Sequence, residues 1–262
     1  MTRVQIIASL LLAIAVSGAV WYWRGAMRAE PPALTTGLPA SCEELAFEDS
    51  AFIVCRVSPL EYDIAVRRTG PDGKPLERLD RLPVRNGFVF AMNAGMYHED
   101  FSPVGLYVED GKETAPLNTT DALGNFFMKP NGVFFVTKYG KAGVLETAAY
   151  AAATPNVAYA TQSGPMLVID GNIHPRFEPD GQSRYIRNGV GVDETGRAVF
   201  AISRGEVSLG KFARLYREVL GCRNALFFDG AVSALYDGKR HIVGGKFPVG
   251  PSVAVSRKLP PP

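Results

Sequence analysis

The sequence predicts an α+β domain. It expects a core of mixed or antiparallel strands, one long helix packed against it, and an apolar segment in front. Three observations carry this. Apolar, β-rich runs recur from residue 51 to the end: FIVCRV, GFVFAMN, VGLYVED, GVFFVTK, PMLVID, RAVFAISR, NALFFD and PSVAVS. Six Asp-Gly and three Asn-Gly pairs punctuate them, and such pairs between β-rich runs mark tight turns. Finally, in SLGKFARLYREVLG the residues Phe212, Leu215, Tyr216, Val219 and Leu220 follow i, i+3, i+4, i+7, i+8 spacing, one apolar face of a helix.

The elements follow in order. Residues 1–24 hold an uncharged apolar run, IIASLLLAIAVSGAVWYW. It is long enough to span a bilayer, which takes about 20 residues. It reads either as a secretory signal peptide, with Ser17 and Ala19 as a small-x-small cleavage site, or as a retained anchor over residues 5–23 with an interfacial belt at Trp21, Tyr22 and Trp23. Both readings export the rest of the chain. A Pro-rich linker (25–40) leads into one domain (41–258). Export permits disulfides, and the run from Cys42 to Cys55 suits two short antiparallel segments bridged by that pair. Cys222 is left over as a buried, inert thiol. VLETAAYAAA (144–153) predicts a short helix stopped by Pro155. The long helix is predicted over about 208–220, with Ser208 as its cap and Gly221 at its end.

Lys+Arg 28 against Asp+Glu 26 leaves a net charge of +2, and no basic run appears. A nucleic-acid partner, which needs a basic patch, is not expected. There is no phosphate-binding P-loop and no dinucleotide fingerprint. His174 and His241 stand alone, without the spacing of a zinc site, so neither metal nor cofactor is expected. Oligomeric state is not legible.

Five polar clusters punctuate the strands. FAMNAGMYHEDF places Asn93 and His98 just past a strand, where binding residues collect; an ordinary solvated turn uses the same residue types. In NFFMKPNGVFFV, Lys129 either meets a phosphate as a point charge or snorkels over apolar surface. ATQSGPMLVIDG offers Ser163, which lacks the G-x-S-x-G surroundings of a nucleophile elbow and reads as a ligand hydrogen-bonder. SRYIRNGVGV holds Arg187 and Asn188: either a hairpin turn, or a guanidinium shaped for bidentate contact with phosphate or carboxylate. NALFFDGAVSALY ends an apolar run in Asp229, a carboxylate at the carboxyl end of a buried strand, where ligand crevices form.

Read in order, these five blocks resemble the phosphodiester glycosidase family, and within it the bacterial exported branch, over about residues 42–256. The resemblance implies hydrolysis of a sugar-1-phosphodiester in an envelope or extracellular glycan. Asp229 and His98 are then the catalytic candidates: Asp229 beside the anomeric carbon, His98 moving a proton. Lys129 and Arg187 would grip the phosphate, and Asn93, Ser163 and Asn188 would meet sugar hydroxyls or phosphate oxygens. The expected partner is a sugar-phosphate diester or other anionic glycan. One departure stands out: DGAVSALY has Ala231 and Ala234 where the family carries glycine or hydroxyl residues. It keeps open the alternative of a non-catalytic envelope protein that binds anionic glycans.

Overall fold

Apolar runs joined by tight turns produce three antiparallel sheets, and the predicted α+β class is corrected to a mostly β fold. The structure, a computed structural model, describes residues 37–259. The apolar N-terminal segment and most of the linker lie outside the described residues. Among the described residues no helix is long and apolar enough to cross a membrane.

In chain order the strands are β1 Cys42–Phe47, β2 Ser50–Val57, β3 Tyr62–Arg67, β4 Phe88–Asn93, β5 Tyr107–Glu109, β6 Lys112–Ala115, β7 Gly132–Thr137, β8 Ala142–Glu146, β9 Val157–Ser163, β10 Met166–Ile169, β11 Asn172–Ile173, β12 Asn188–Val192, β13 Ala198–Ser203, β14 Asn224–Phe227, β15 Leu235–Tyr236, β16 His241–Val243 and β17 Ser252–Arg257. One sheet runs β1-β2-β13-β12-β14-β10-β11, a second β16-β15-β4-β17-β3, and a third β6-β5-β9-β7-β8. In the first, β1 and β2 pair with Cys42 opposite Cys55, and the two form a disulfide, as the sequence suggested. Cys222 is a free, buried thiol, pushed up to about 12, mainly by burial.

The three sheets share one core. Phe90 of β4, Phe134 of β7 and Phe200 of β13 come one from each sheet. Phe200 meets the other two rings edge-on, at centroid distances of 5.6 and 5.7 Å. All three are fully buried, and burial of each contributes about 2–3 kcal/mol. The outer face of the seven-stranded sheet is covered by helix α2 (Leu209–Arg214). Phe212 stacks on Phe52, and Leu215 and Tyr216 join the same apolar cluster. Helix α1 (Thr147–Ala153) covers the third sheet, with Tyr150 against Phe135.

The helix expected over 208–220 begins where predicted: the Ser208 hydroxyl accepts from the Lys211 N–H at 3.1 Å. It is shorter than expected, because after Arg214 the coil widens into a π turn over Leu215–Val219. The chain then leaves at Gly221, whose φ of +64° suits glycine. One such element cannot outweigh three sheets. The helix expected over 144–153 starts later, because Val144 and Leu145 pair with β7; the Glu146 carboxylate then caps α1 by accepting from the Ala148 and Ala149 N–H groups.

Candidate active site

The seven-stranded sheet meets the second sheet where β4 ends and β12 begins. Asn93 closes β4 and Asn188 opens β12, and both are fully buried. A buried amide needs partners for both its ends, and here the two amides satisfy each other. Asn188 Nδ2 donates to Asn93 O at 2.8 Å and to Asn93 Oδ1 at 2.9 Å. Asn93 Nδ2 donates to the Asp229 carbonyl at 2.7 Å, and its Oδ1 accepts from the Ala234 N–H at 2.8 Å. The Ser233 hydroxyl lies 3.0 Å from Asn188 Oδ1 and 2.8 Å from the Ile186 carbonyl. This network clamps the turn 229–234 at both ends. The sequence expected Asn93 and Asn188 to meet substrate; their side chains are instead spent inside the fold and position Asp229.

Asp229 follows β14 by two residues. Its N–H donates to the Ala94 carbonyl at 3.0 Å, and its carboxylate accepts from the Ala231 N–H at 3.2 Å, capping a short 3₁₀ turn over Gly230–Val232. Gly230 is required there, since a Cβ would lie 2.4 Å from the Phe227 ring. Burial raises the Asp229 carboxyl above the ordinary carboxylate range, and the Ala231 N–H opposes this more weakly. No cation is paired with it among the described residues. Ala231 and Ala234 both act here through their backbone N–H groups, one on the Asp229 carboxylate and one on Asn93 Oδ1.

Tyr97, not among the residues expected at the site, completes this corner. Its ring lies on Gly250, where a Cβ would come within 2.4 Å, and its hydroxyl donates to the Pro248 carbonyl at 2.7 Å. Burial first, and the negative charge of Asp229 second, push the phenol up to about 12. No periodicity or motif marks Tyr97; only the return of residues 248–250 to this spot reveals it.

The other expected residues have separate settings. Ser163 ends β9; its hydroxyl is fully buried without a hydrogen-bond partner, a state shared among the described residues only with Arg68 Nε. A buried hydroxyl without a partner costs about 1–3 kcal/mol. Gly95 packs against the same strand, at Thr161 and Gln162, and Gly164 packs against Asn131 and Phe126. Lys129 is exposed; its ammonium donates to the Thr119 carbonyl at 2.7 Å and pairs with the exposed Asp121 at 2.6 Å. His98 is exposed on a turn closed by its own N–H to the Ser102 carbonyl at 2.8 Å, and no hydrogen bond or ion pair joins it to Asp229.

Arg187 is the largest departure. Strand alternation sends it to the opposite face of the sheet from Asn188. There its guanidinium lies over the Phe227 and Tyr185 rings and donates to the carbonyls of Val207 and Ser183, each at 2.8 Å. It is 1% exposed and has no carboxylate partner among the described residues, so burial pulls it down to about 10. Here it organises the loop before β12. Among the described residues no cluster of three or more His, Cys, Asp or Glu could hold a metal ion. A separate concavity of about 1110 Å³, lined by Tyr62, Arg67, Arg85 and Tyr139, includes none of these residues.

Comparison with known proteins places this corner in context. The family model for phosphodiester glycosidases matches residues 86–255. The chain belongs to the phosphodiester glycosidase family. The matched span runs from the turn before β4 to within β17, and so contains Asn93, Lys129, Ser163, Arg187, Asn188 and Asp229. The chain is also 38% identical over 168 residues to the uncharacterised protein YigE of Escherichia coli K12, covering 64% of this chain. That match spans 65% of the E. coli protein. Among solved structures, the zebrafish N-acetylglucosamine-1-phosphodiester α-N-acetylglucosaminidase catalytic domain, auto-inhibited by its pro-peptide, shares the fold. Its TM-score is 0.58 at 14% identity, over 89% of this chain and 86% of that one. A Burkholderia pseudomallei protein described as exported matches at TM-score 0.52 and 13% identity, over 79% and 74% of the two chains.

Proposed function

We propose that this phosphodiester glycosidase-family chain is an exported hydrolase. In this reading it cleaves the glycosidic C–O bond of a sugar-1-phosphodiester in an envelope or extracellular glycan. The observation that carries the reading is Asp229: a half-buried carboxylate without a cation, raised above its ordinary range, on a turn clamped by the Asn93–Asn188–Ser233 network. A phosphate monoester is already a good leaving group, so a strong general acid is less needed. The site must supply a carboxylate near the anomeric carbon and donors for the phosphate. One carboxylate oxygen of Asp229 takes the Ala231 N–H; the rest of the group serves as base for the attacking water or as stabiliser of oxocarbenium charge. Its raised value brings it closer to neutral operating pH, as suits a general base. Ser163, with its unspent hydroxyl, supplies a hydrogen bond. Lys129 supplies a cation, since its exposed pair with Asp121 is worth less than about 1 kcal/mol and exchanges readily. His98 on its exposed turn remains the candidate for moving a proton at the rim. Export is supported by the Cys42–Cys55 disulfide, by the apolar N-terminal sequence and by the exported Burkholderia relative of the fold.

The test is a panel of synthetic methyl esters of glucose-1-phosphate and N-acetylglucosamine-1-phosphate, in both anomers, offered to wild type and Asp229→Asn. Turnover of at least one ester, reduced about 10³-fold or more in the variant, is the expected result. Turnover unaffected by the substitution removes Asp229 from the chemistry. Binding of esters without turnover favours a non-catalytic anionic-glycan-binding protein.

A further inference from the structure

Among the described residues seven non-glycine residues have positive φ, and six of them are polar: Glu48, Asp49, Glu77, Asp110, Thr154 and Asp170. The seventh is Phe101, at φ +64°. A bulky residue in the left-handed region is an outlier that is strained and persists where the surroundings or function demand it. The turn itself does not demand phenylalanine. It is closed by His98 N–H to the Ser102 carbonyl and by Phe101 N–H to the His98 carbonyl, each at 2.8 Å. Those are main-chain bonds that glycine or asparagine would make with less strain. Nor does packing demand it, since neither Phe101 nor Tyr97 belongs to any of the apolar cores. What the strained backbone achieves is a parallel stack of Phe101 on Tyr97, with centroids 5.6 Å apart and planes 10° apart. Phe101 remains half-exposed.

The stack is anchored through Tyr97, which lies close enough to Asp229 to feel its charge. Tyr97 is fixed by its hydroxyl on Pro248 and its ring on Gly250. The next residue, Pro251, accepts from the Ala94 N–H at 2.8 Å, and the Ala94 carbonyl accepts from the Asp229 N–H at 3.0 Å. We propose that Phe101, braced by Tyr97, is the platform on which the sugar ring of the substrate lies, holding its anomeric carbon beside Asp229. The chemistry is that of a pyranose face, whose C–H groups are attracted to the negative face of an aromatic ring. A rigid two-ring stack offers that contact with little entropy left to lose on binding. The proposal rests on the reading of Asp229 as the group that faces the anomeric carbon.

The test separates the two. Methyl α-glucoside and methyl α-N-acetylglucosaminide carry no phosphate and cannot report hydrolysis of a phosphodiester. They are added to the full chain and followed by saturation-transfer NMR, for wild type, Phe101→Ala, Phe101→Asn and Phe101→Tyr. Asparagine tolerates the left-handed backbone, so that variant keeps the turn even if alanine disturbs it. The expected result is transfer to sugar C–H protons in wild type and Phe101→Tyr, and affinity weaker by about tenfold in both other variants, the size of one aromatic contact. On a phosphodiester that is turned over, the same two variants raise KM by about tenfold and leave kcat within about twofold, as loss of uniform binding does. Unchanged sugar affinity in Phe101→Asn and Phe101→Ala overturns the platform, and so does absence of transfer in wild type, even if phosphodiesters are hydrolysed. Transfer that depends on Phe101, with no phosphodiester hydrolysed, keeps the platform and overturns the hydrolytic reading instead.

Discussion

Two Asp-Gly pairs of this chain have opposite electrostatics. Asp110-Gly111 joins β5 to β6 with both residues at positive φ, the geometry of a tight hairpin turn. Asp110 is exposed, and Arg67 holds its carboxyl below the ordinary range by a direct hydrogen bond, with Tyr159 assisting. Asp229-Gly230 closes no hairpin. It follows the buried run Ala225–Phe228, meets no cation among the described residues, and burial raises its carboxyl. The same dipeptide therefore stabilises the fold in one place and is tolerated at a cost in the other. A carboxylate kept ionisable against its environment is what a reacting group requires.

Substitutions can break this contrast, and the largest effect is expected at Asp229. Asp229→Asn should lower turnover about 10³-fold or more while raising the melting temperature at pH 7–8. The sign follows from linkage. The folded state binds the Asp229 proton more tightly than the unfolded chain does. Stability from this group is therefore greatest at low pH, and is lost as pH rises from the ordinary carboxylate range through the raised folded value. Calorimetry at pH 4 and pH 8 checks it: the advantage of the asparagine variant should appear at pH 8 and shrink at pH 4. Next in size, Asn93→Ala orphans the Ala234 N–H, the Asp229 carbonyl and part of Asn188, and should cost about 3 kcal/mol in urea unfolding. Gly189→Ala should cost about 2 kcal/mol, because its Cβ would come within 2.6 Å of the Leu226 carbonyl. Gly111→Ala should cost about 1 kcal/mol, from φ alone. If those last two changes prove equal, Asn188-Gly189 is a turn-like element after all. The smallest effect is expected for Asp110→Asn, about 0.5 kcal/mol after solvent screening. Its pH dependence has the opposite sign to Asp229: present above the ordinary carboxylate range and lost as pH falls.

The strands were legible because their apolar runs are short and bounded by turn residues, and the helix ends because Ser208 and Gly221 carry their own signals. The fold class was not. Periodicity over 208–220 reports an apolar face and is silent on whether the coil stays α-helical past Arg214. Asn188-Gly189 misled for a related reason. It reads as a turn, but Gly189 and Gly191 are small because Leu226 O and Cys222 Sγ press on them inside β12. Local chemistry could single out Asp229 as the end of a buried strand. It could not show that Arg187 and Asn188 face opposite sides of a sheet, or that residues 248–250 return to seat Tyr97. Those are facts of long-range pairing, and no short window of sequence contains them.

The order of strands in the large sheet has a consequence for how the chain is made. β2 has β1 on one side and β13 on the other, with Val57 opposite Ala198. A chain emerging N-terminus first completes the β1–β2 hairpin early, and the Cys42–Cys55 bridge can close within it at once. The other edge of β2, carrying Phe52, Ile53 and Val54, then has no neighbour until β13 arrives. Contacts this distant in sequence form slowly, and an unpaired apolar edge invites other strands. During biogenesis this edge of β2 therefore stays open until β13 is made, and shielding it in that interval keeps other strands from pairing there.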